Sequence, residues 1–117
     1  MDSNTEITSE TQDGVLVVTI SGRLDAPASS QVKGKLEEIV SEDVTKVVID
    51  LGGMTYIGSA GLREFFLTGK NLARKNGAMI LCDLQPSVQR IFDISGLPTS
   101  YPIVSTREEA IKRIQEQ

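Results

Sequence analysis

The groups in this chain best placed to do chemistry fall in one stretch. Asp50 offers a carboxylate, Ser59 a hydroxyl inside Gly58-Ser59-Ala60-Gly61, and Arg63 a guanidinium one turn further on. Ser59 lies where a β-branched burst, Val47 to Leu51, a Gly52-Gly53 break and a small anchor, Tyr56-Ile57, give way to a helix-period pattern that begins at Leu62. A hydroxyl at a helix start has two uses. It can cap the helix by accepting a backbone N–H. Alternatively it can be phosphorylated, which adds about −1.5 to −2 charges. A helix start favours such an anion by roughly 0.3–1 kcal/mol, and about 2 when partly buried. The fold should then tolerate the phosphate, and its effect should fall on whatever docks over this loop.

Other chemistries fail on missing residues. A nucleophile elbow needs Gly two positions before the Ser, where Ile57 stands. There is no His to act as a base or zinc ligand and only one Cys, so neither triad chemistry nor a metal site is expected. No Gly-Lys-Ser/Thr follows the glycines, so they are not a phosphate-binding P-loop. Asp50 ends a strand, as the phosphorylated Asp of a response-regulator receiver does. The magnesium-holding acids and the late Lys of a receiver are lacking, so a solvated or loop-capping Asp is expected. Arg23 and Asp25 are placed on a strand-to-helix loop, with Asp25 either a helix cap or part of a surface. Cys82, inside an apolar strand, reads as a small buried hydrophobe. The cations at 70–75 read as a solvated face.

These residues need a scaffold, and the pattern supplies one. A weak edge strand over 5–11 is anchored by Ile7, and Asp13-Gly14 is a hairpin signal. In the strand from Val15 to Ser21, Leu16, Val18 and Ile20 should face one side and Val15, Val17 and Thr19 the other. Val32, Leu36, Ile39 and Val40 mark a helix over 27–41, with Pro27 in its first turn. A strand at 45–51 precedes the helix that starts near Ser59. That helix is expected to turn Leu62, Phe65, Phe66, Gly69, Leu72 and Ala73 inward and to end at Asn76-Gly77. Ala78 to Cys82 is a strand. Pro86 opens a short helix with Val88, Ile91 and Phe92, which Gly96 and Pro98 stop. Tyr101 to Val104 is a last strand. Thr106 and Glu109 read as a capping box for a helix with Ala110, Ile111 and Ile114 inward. The order β-β-α-β-α-β-α-β-α implies an α/β fold: a mostly parallel mixed sheet packed with about four helices. Loops at one sheet edge, after Ile20, Leu51 and Cys82, should be neighbours.

The chain has 117 residues, which suits one domain with an ordered core of about 5–115. Its net charge of −4, with signs interspersed, argues against nucleic-acid or anionic-membrane partners. No apolar run approaches a spanning length, and Met-Asp-Ser-Asn-Thr-Glu has no signal-peptide pattern, so a cytoplasmic setting is expected. Nothing calls for more than a monomer.

Val48-Ile49-Asp50-Leu51 followed by Tyr56-Ile57-Gly58-Ser59-Ala60-Gly61-Leu62 resembles the signature of the STAS domain of bacterial anti-sigma factor antagonists. Gly77 to Cys82 with Val88 to Leu97, and Ser21-Gly22-Arg23-Leu24-Asp25, are similar to further parts of that family, over about residues 7 to 114. The resemblance implies partner switching. The unphosphorylated protein binds an anti-sigma factor that is also a serine kinase, and so releases a sigma factor. Phosphorylation breaks the complex, and a PP2C-type phosphatase restores it. The phosphorylated serine falls on Ser59. The partner surface falls on Arg23, Asp25, Gly58, Ser59, Ala60, Gly61, Leu62 and Arg63. ATP and metal belong to the kinase, so no cofactor and no enzymatic activity are implied for this chain. Two positions depart from the family's usual pattern, which often has Asp before the serine and Ser or Thr after it: here they are Gly58 and Ala60. Two alternatives remain at this point. One is a STAS interaction module never phosphorylated and serving another pathway; the other is a nucleotide sensor using the Gly-rich loop.

Overall fold

The computed structural model describes residues 5–96 and 101–116. Its elements are β1 (Glu6–Gln12), β2 (Val15–Leu24), α1 (Ala26–Ile39), β3 (Lys46–Asp50), β4 (Met54–Ile57), α2 (Ser59–Arg74), β5 (Ala78–Cys82), α3 (Pro86–Ser95), β6 (Ile103–Val104) and α4 (Arg107–Gln115). Asp13 and Gly14 both take left-handed backbone, at φ 54° and 79°. A two-residue primed turn requires this, and it sets β1 antiparallel to β2 from Glu6↔Ser21 to Gln12↔Val15. The other pairings are parallel, and the sheet runs β1-β2-β3-β5-β6, with β4 added against β2.

Alternation along the strands assigns the two faces. Val18, Ile20, Val47, Ile49, Met79 and Leu81 join Val32 and Leu36 of α1, Phe65 and Leu72 of α2, and Val88 and Phe92 of α3 in one core. Val15, Val17, Val48, Ile80 and Cys82 join Ala110, Ile111 and Ile114 of α4 in the other. Three helices therefore cover one face and α4 the second, which is why the central strand β3 is apolar on both sides. Removing each such Val or Ile from water stabilises the fold by roughly 1.5–3 kcal/mol.

Several expectations need correcting. A further strand, β4, stands where only a short apolar anchor was expected. Four residues with the burial pattern in-out-out-in carry no clean period of two. β2 runs on to Leu24, so Arg23 lies on a strand and not on a loop. The extension depends on Gly22, at φ 91°, where the register against β4 shifts by a bulge. The buried stripe of α2 is Gly61, Phe65, Gly69 and Leu72. Phe66 is 44% exposed and Ala73 is exposed, because each lies one residue, or about 100°, past the core line. Gly69 belongs to that line because the Tyr101 ring packs against it, with no room for a Cβ. Lys70 and Arg74 are exposed as expected, but Lys75 is engaged. Its Nζ donates to the carbonyls of Ser41 and Glu42 at 2.8 and 3.2 Å. The last strand covers only Ile103–Val104. Gly96, left-handed at φ 76°, ends α3; Pro98 lies outside the described residues.

Candidate functional site

The site is built from the turn after β3 outward. Asp50 ends that strand almost buried, and its Oδ1 accepts the Gly52 N–H at 2.9 Å. Gln85 Nε2 donates to the Gly52 carbonyl at 2.9 Å, and the Gly22 N–H donates to the Gly53 carbonyl at 2.9 Å. The segments after Ile20, Leu51 and Cys82 are thus neighbours, as expected, although the first of them is strand rather than loop. Gly53 passes so close to Ser21 that a Cβ there would sit 2.8 Å from the Ser21 Cβ, so this turn needs glycine for space.

Asp50 does more than cap the loop. Its Oδ2 takes a hydrogen bond from Arg107 Nε at 2.9 Å. Arg107 also donates to Thr19 Oγ1 at 3.1 Å and pairs with the exposed Glu10 at 3.2 Å. The hydrogen bond to Asp50 holds the guanidinium pKa above its ordinary value. Sequence reasoning missed this pairing, since 57 positions separate the partners. One signal was available: an acid directly after the buried apolar run Val47 to Ile49 needs a partner.

The turn delivers β4. Met54 and Ile57 point into the core, while Thr55 and Tyr56 face outward. Arg23 pairs in register with Tyr56, and its guanidinium lies 4.4 Å from the ring centroid. Among the described residues it has no acidic partner. The chain then turns into α2, with the Gly58 N–H donating to the Leu24 carbonyl at 3.0 Å.

Gly58, not Ser59, is the residue that caps α2. It has no side chain to offer the first turn, and no acidic residue follows there. Ser59 is the first helical residue. It is exposed, and its hydroxyl has no hydrogen-bond partner among the described residues. The helix-cap use of Ser59 is thereby overturned. Ala60 and Leu62 are half-buried, Gly61 is buried and Arg63 is exposed. A Cβ on Gly61 would lie 2.8 Å from the Leu24 side chain, so small size here lets the helix start press against β2.

Helix α1 gives the contrast. Asp25 caps it, with Oδ1 accepting the Ala28 N–H at 3.0 Å and its carbonyl accepting from Ser29 Oγ at 2.8 Å. Asp25 is therefore engaged and half-buried, whereas Arg23, Ser59 and Arg63 are exposed. A concavity lies elsewhere: an open groove of about 600 Å³ between α1 and α2, lined by Lys33, Leu36 and Asn71 among others. The Ser59 region is a surface, suited to docking a macromolecule rather than enclosing a small one. Among the described residues no His, Cys, Asp or Glu cluster could hold a metal. Cys82 is fully buried as expected. Burial first, then the charges of Asp50 and Asp83, pushes its thiol up to about 12.

A family profile described as the STAS domain matches residues 6–110. The chain belongs to the STAS domain family. This STAS chain is 35% identical to BtrV of Bordetella bronchiseptica, named as a candidate anti-sigma factor antagonist, over 90% of each protein. It is 31% identical to the anti-sigma F factor antagonist of Paenibacillus polymyxa, over 96% of this chain and 97% of that one. The solved structure of an anti-sigma factor antagonist from Mycobacterium paratuberculosis superposes with a TM-score of 0.88 at 25% identity, covering 96% of this STAS chain and 95% of the other. These relatives place it with the anti-sigma factor antagonists. No helix among the described residues is long and apolar enough to cross a membrane.

Proposed function

We propose that this chain is an anti-sigma factor antagonist that docks through the strip Arg23, Asp25, Gly58, Ser59, Ala60, Gly61, Leu62 and Arg63, and that phosphorylation of Ser59 releases its partner. The partner is an anti-sigma factor with serine kinase activity. It transfers the γ-phosphoryl group of ATP to Ser59 Oγ, and ADP and a proton leave. A PP2C-type phosphatase reverses the modification by hydrolysis. One observation supports this reading above the others: the Ser59 hydroxyl is exposed and, among the described residues, unpartnered, on a helix start whose cap residue, Gly58, offers no side-chain hydrogen bond. A Ser59 hydroxyl already committed to capping would have to give up that hydrogen bond on modification. Here the phosphate would instead meet free N–H groups.

The physics of release follows from burial. A partner shaped to the unmodified strip from Gly58 to Leu62 would have to bury a phosphate for which it carries no matching group of its own, at a cost of several kcal/mol. Each 1.4 kcal/mol is about tenfold in affinity. Phosphorylated protein should therefore bind about 100- to 1,000-fold more weakly than unmodified protein. Intact mass and phosphosite mapping of protein from its own cells, with and without stress, test the modification. Titration of the partner kinase with Ser59→Ala and with phosphoserine at 59 tests its consequence. One phosphoryl group on Ser59 that varies with condition, and weak binding of the phosphorylated form, are expected. An unmodified mass under every condition would leave a constitutive binding module.

A further inference from the structure

Two arginines stand near the turn that carries Ser59, Arg23 beside the Leu24–Gly58 hydrogen bond and Arg63 one helical turn on, and neither is tied up in an ion pair among the described residues. Arg23 comes from β2. It lies on the outer face of the sheet extension and rests on the Tyr56 ring at 4.4 Å. Arg63 comes from α2, four residues after Ser59. Helical side chains lean toward the N-terminus, so it leans back over the same turn. Both are exposed, and among the described residues neither forms an ion pair. The Tyr56 hydroxyl reaches the turn between them, 3.4 Å from where a Cβ on Gly58 would lie. No acid stands at 58 or in the first turn of α2 to neutralise either cation.

We propose that Arg23 and Arg63 form a clamp for the phosphate on Ser59, with Tyr56 holding the Arg23 arm in place. The proposal rests on the reading of Ser59 as the modified residue and names how the modified state is built. Arginine is the side chain suited to this, since its planar fork donates two parallel hydrogen bonds to phosphate oxygens. Stacking on Tyr56 restricts the fork beforehand, so less freedom is lost when it closes. Closing the clamp also withdraws Arg23 from the docking strip. Phosphorylation therefore changes that surface twice, by adding a dianion and by turning a cation inward.

The test needs neither kinase nor partner. Phosphoserine is incorporated at 59 during translation, and its second ionisation is followed by ³¹P NMR. In the otherwise unchanged chain it should titrate below an unstructured phosphoserine peptide. Arg23→Ala and Arg63→Ala should each raise it by roughly half a pH unit, and the double variant by more. Gly58→Asp places a carboxylate beside the Tyr56 hydroxyl, competes for Arg23 and should raise the value as well. Tyr56 ring resonances should shift between phosphorylated and unmodified protein, and this difference should vanish in Arg23→Ala. Amide spectra check that each variant is folded, as expected for exposed positions. An unchanged titration in the double variant would overturn the clamp. An effect confined to Arg63→Ala would overturn the Arg23 arm. Neither result depends on whether phosphate weakens partner binding, so failure of the clamp and failure of the switch are told apart.

Discussion

Arg107 and Arg23 both lie close to the Gly52-Gly53 turn and are used in opposite ways. Arg107 is consumed by the fold: Asp50, Thr19 and Glu10 all accept from it, within 2.9–3.2 Å. Arg23 has a tyrosine ring beneath it and no acid beside it. The difference follows from what each side buries. On the α4 side a nearly buried carboxylate must be matched, because an unpaired buried charge is costly. At the start of α2 no polar side chain is buried, so the exposed groups around it answer to no demand of the fold. Groups left without an internal partner are the ones a modification or a docking protein can use.

Removing the consumed arginine should have the larger effect. Arg107→Ala leaves Asp50 with only the Gly52 N–H. Breaking a buried pair costs about 3–5 kcal/mol, but Arg107 keeps 30% of its side chain exposed. A loss of about 2–3 kcal/mol is therefore expected, read as a lower urea midpoint at unchanged slope. Arg107→Lys should recover part of it, since an ammonium cannot reach all three acceptors as a fork does. A midpoint unchanged by Arg107→Ala would break the comparison at its stronger end.

The same network reaches Cys82, next in register to Asp50 across the sheet. The Cys82 pKa of about 12 stands above the ordinary 9.0, through burial first and then the Asp50 and Asp83 charges, with Arg107 opposing them. A raised folded-state value means that the folded chain holds the thiol proton more tightly. Its contribution to stability is fully present below pH 9 and is lost as pH rises from 9 toward 12. About 1 kcal/mol should be gone by pH 10, seen as a falling urea midpoint. At neutral pH a thiol reagent should leave the native protein unmodified. Arg107→Ala removes the one lowering influence and should push the thiol higher still.

Much of this architecture was legible because local pattern and global fold agree. Alternation in β2 assigned both faces correctly, and Asp13-Gly14 fixed the hairpin. Asp25 and Thr106 cap α1 and α4 as their positions suggested. What was not legible has physical reasons. β4 is held by pairing with β2 rather than by its own four residues. The extension of β2 past Gly22 depends on that same pairing, so Arg23 could not be placed on a strand from sequence. Gly58 displaced Ser59 from the cap because the chain must turn sharply beside Leu24, and a glycine caps nearly as well as a serine. The Arg107–Asp50 bond, like the stacking of Arg23 on Tyr56, is a tertiary contact between distant segments. The sequence therefore singled out Ser59 and the residues of the strip around it, while the contacts among those residues emerged only from the fold.

Arg23→Ala should have the smallest effect on stability and so sharpens the comparison most. An exposed cation–π contact is worth about 0.5–1 kcal/mol, and part of that is recovered when water rehydrates the ring. The unfolding free energy from urea titration should fall by no more than about 0.5 kcal/mol, several times less than for Arg107→Ala. Binding is where Arg23 should count. A cation at the edge of a docking strip, already ordered by Tyr56, should be worth about tenfold in partner affinity, or about 1.4 kcal/mol. Tyr56→Leu keeps the apolar bulk but removes the ring face, and should lose a smaller part of that affinity. The two arginines would then separate cleanly, with Arg107 acting on stability and Arg23 on binding. If Arg23→Ala lowers the midpoint as far as Arg107→Ala does, Arg23 belongs to the fold, and the surface around Ser59 loses its claim to be held in reserve for a partner.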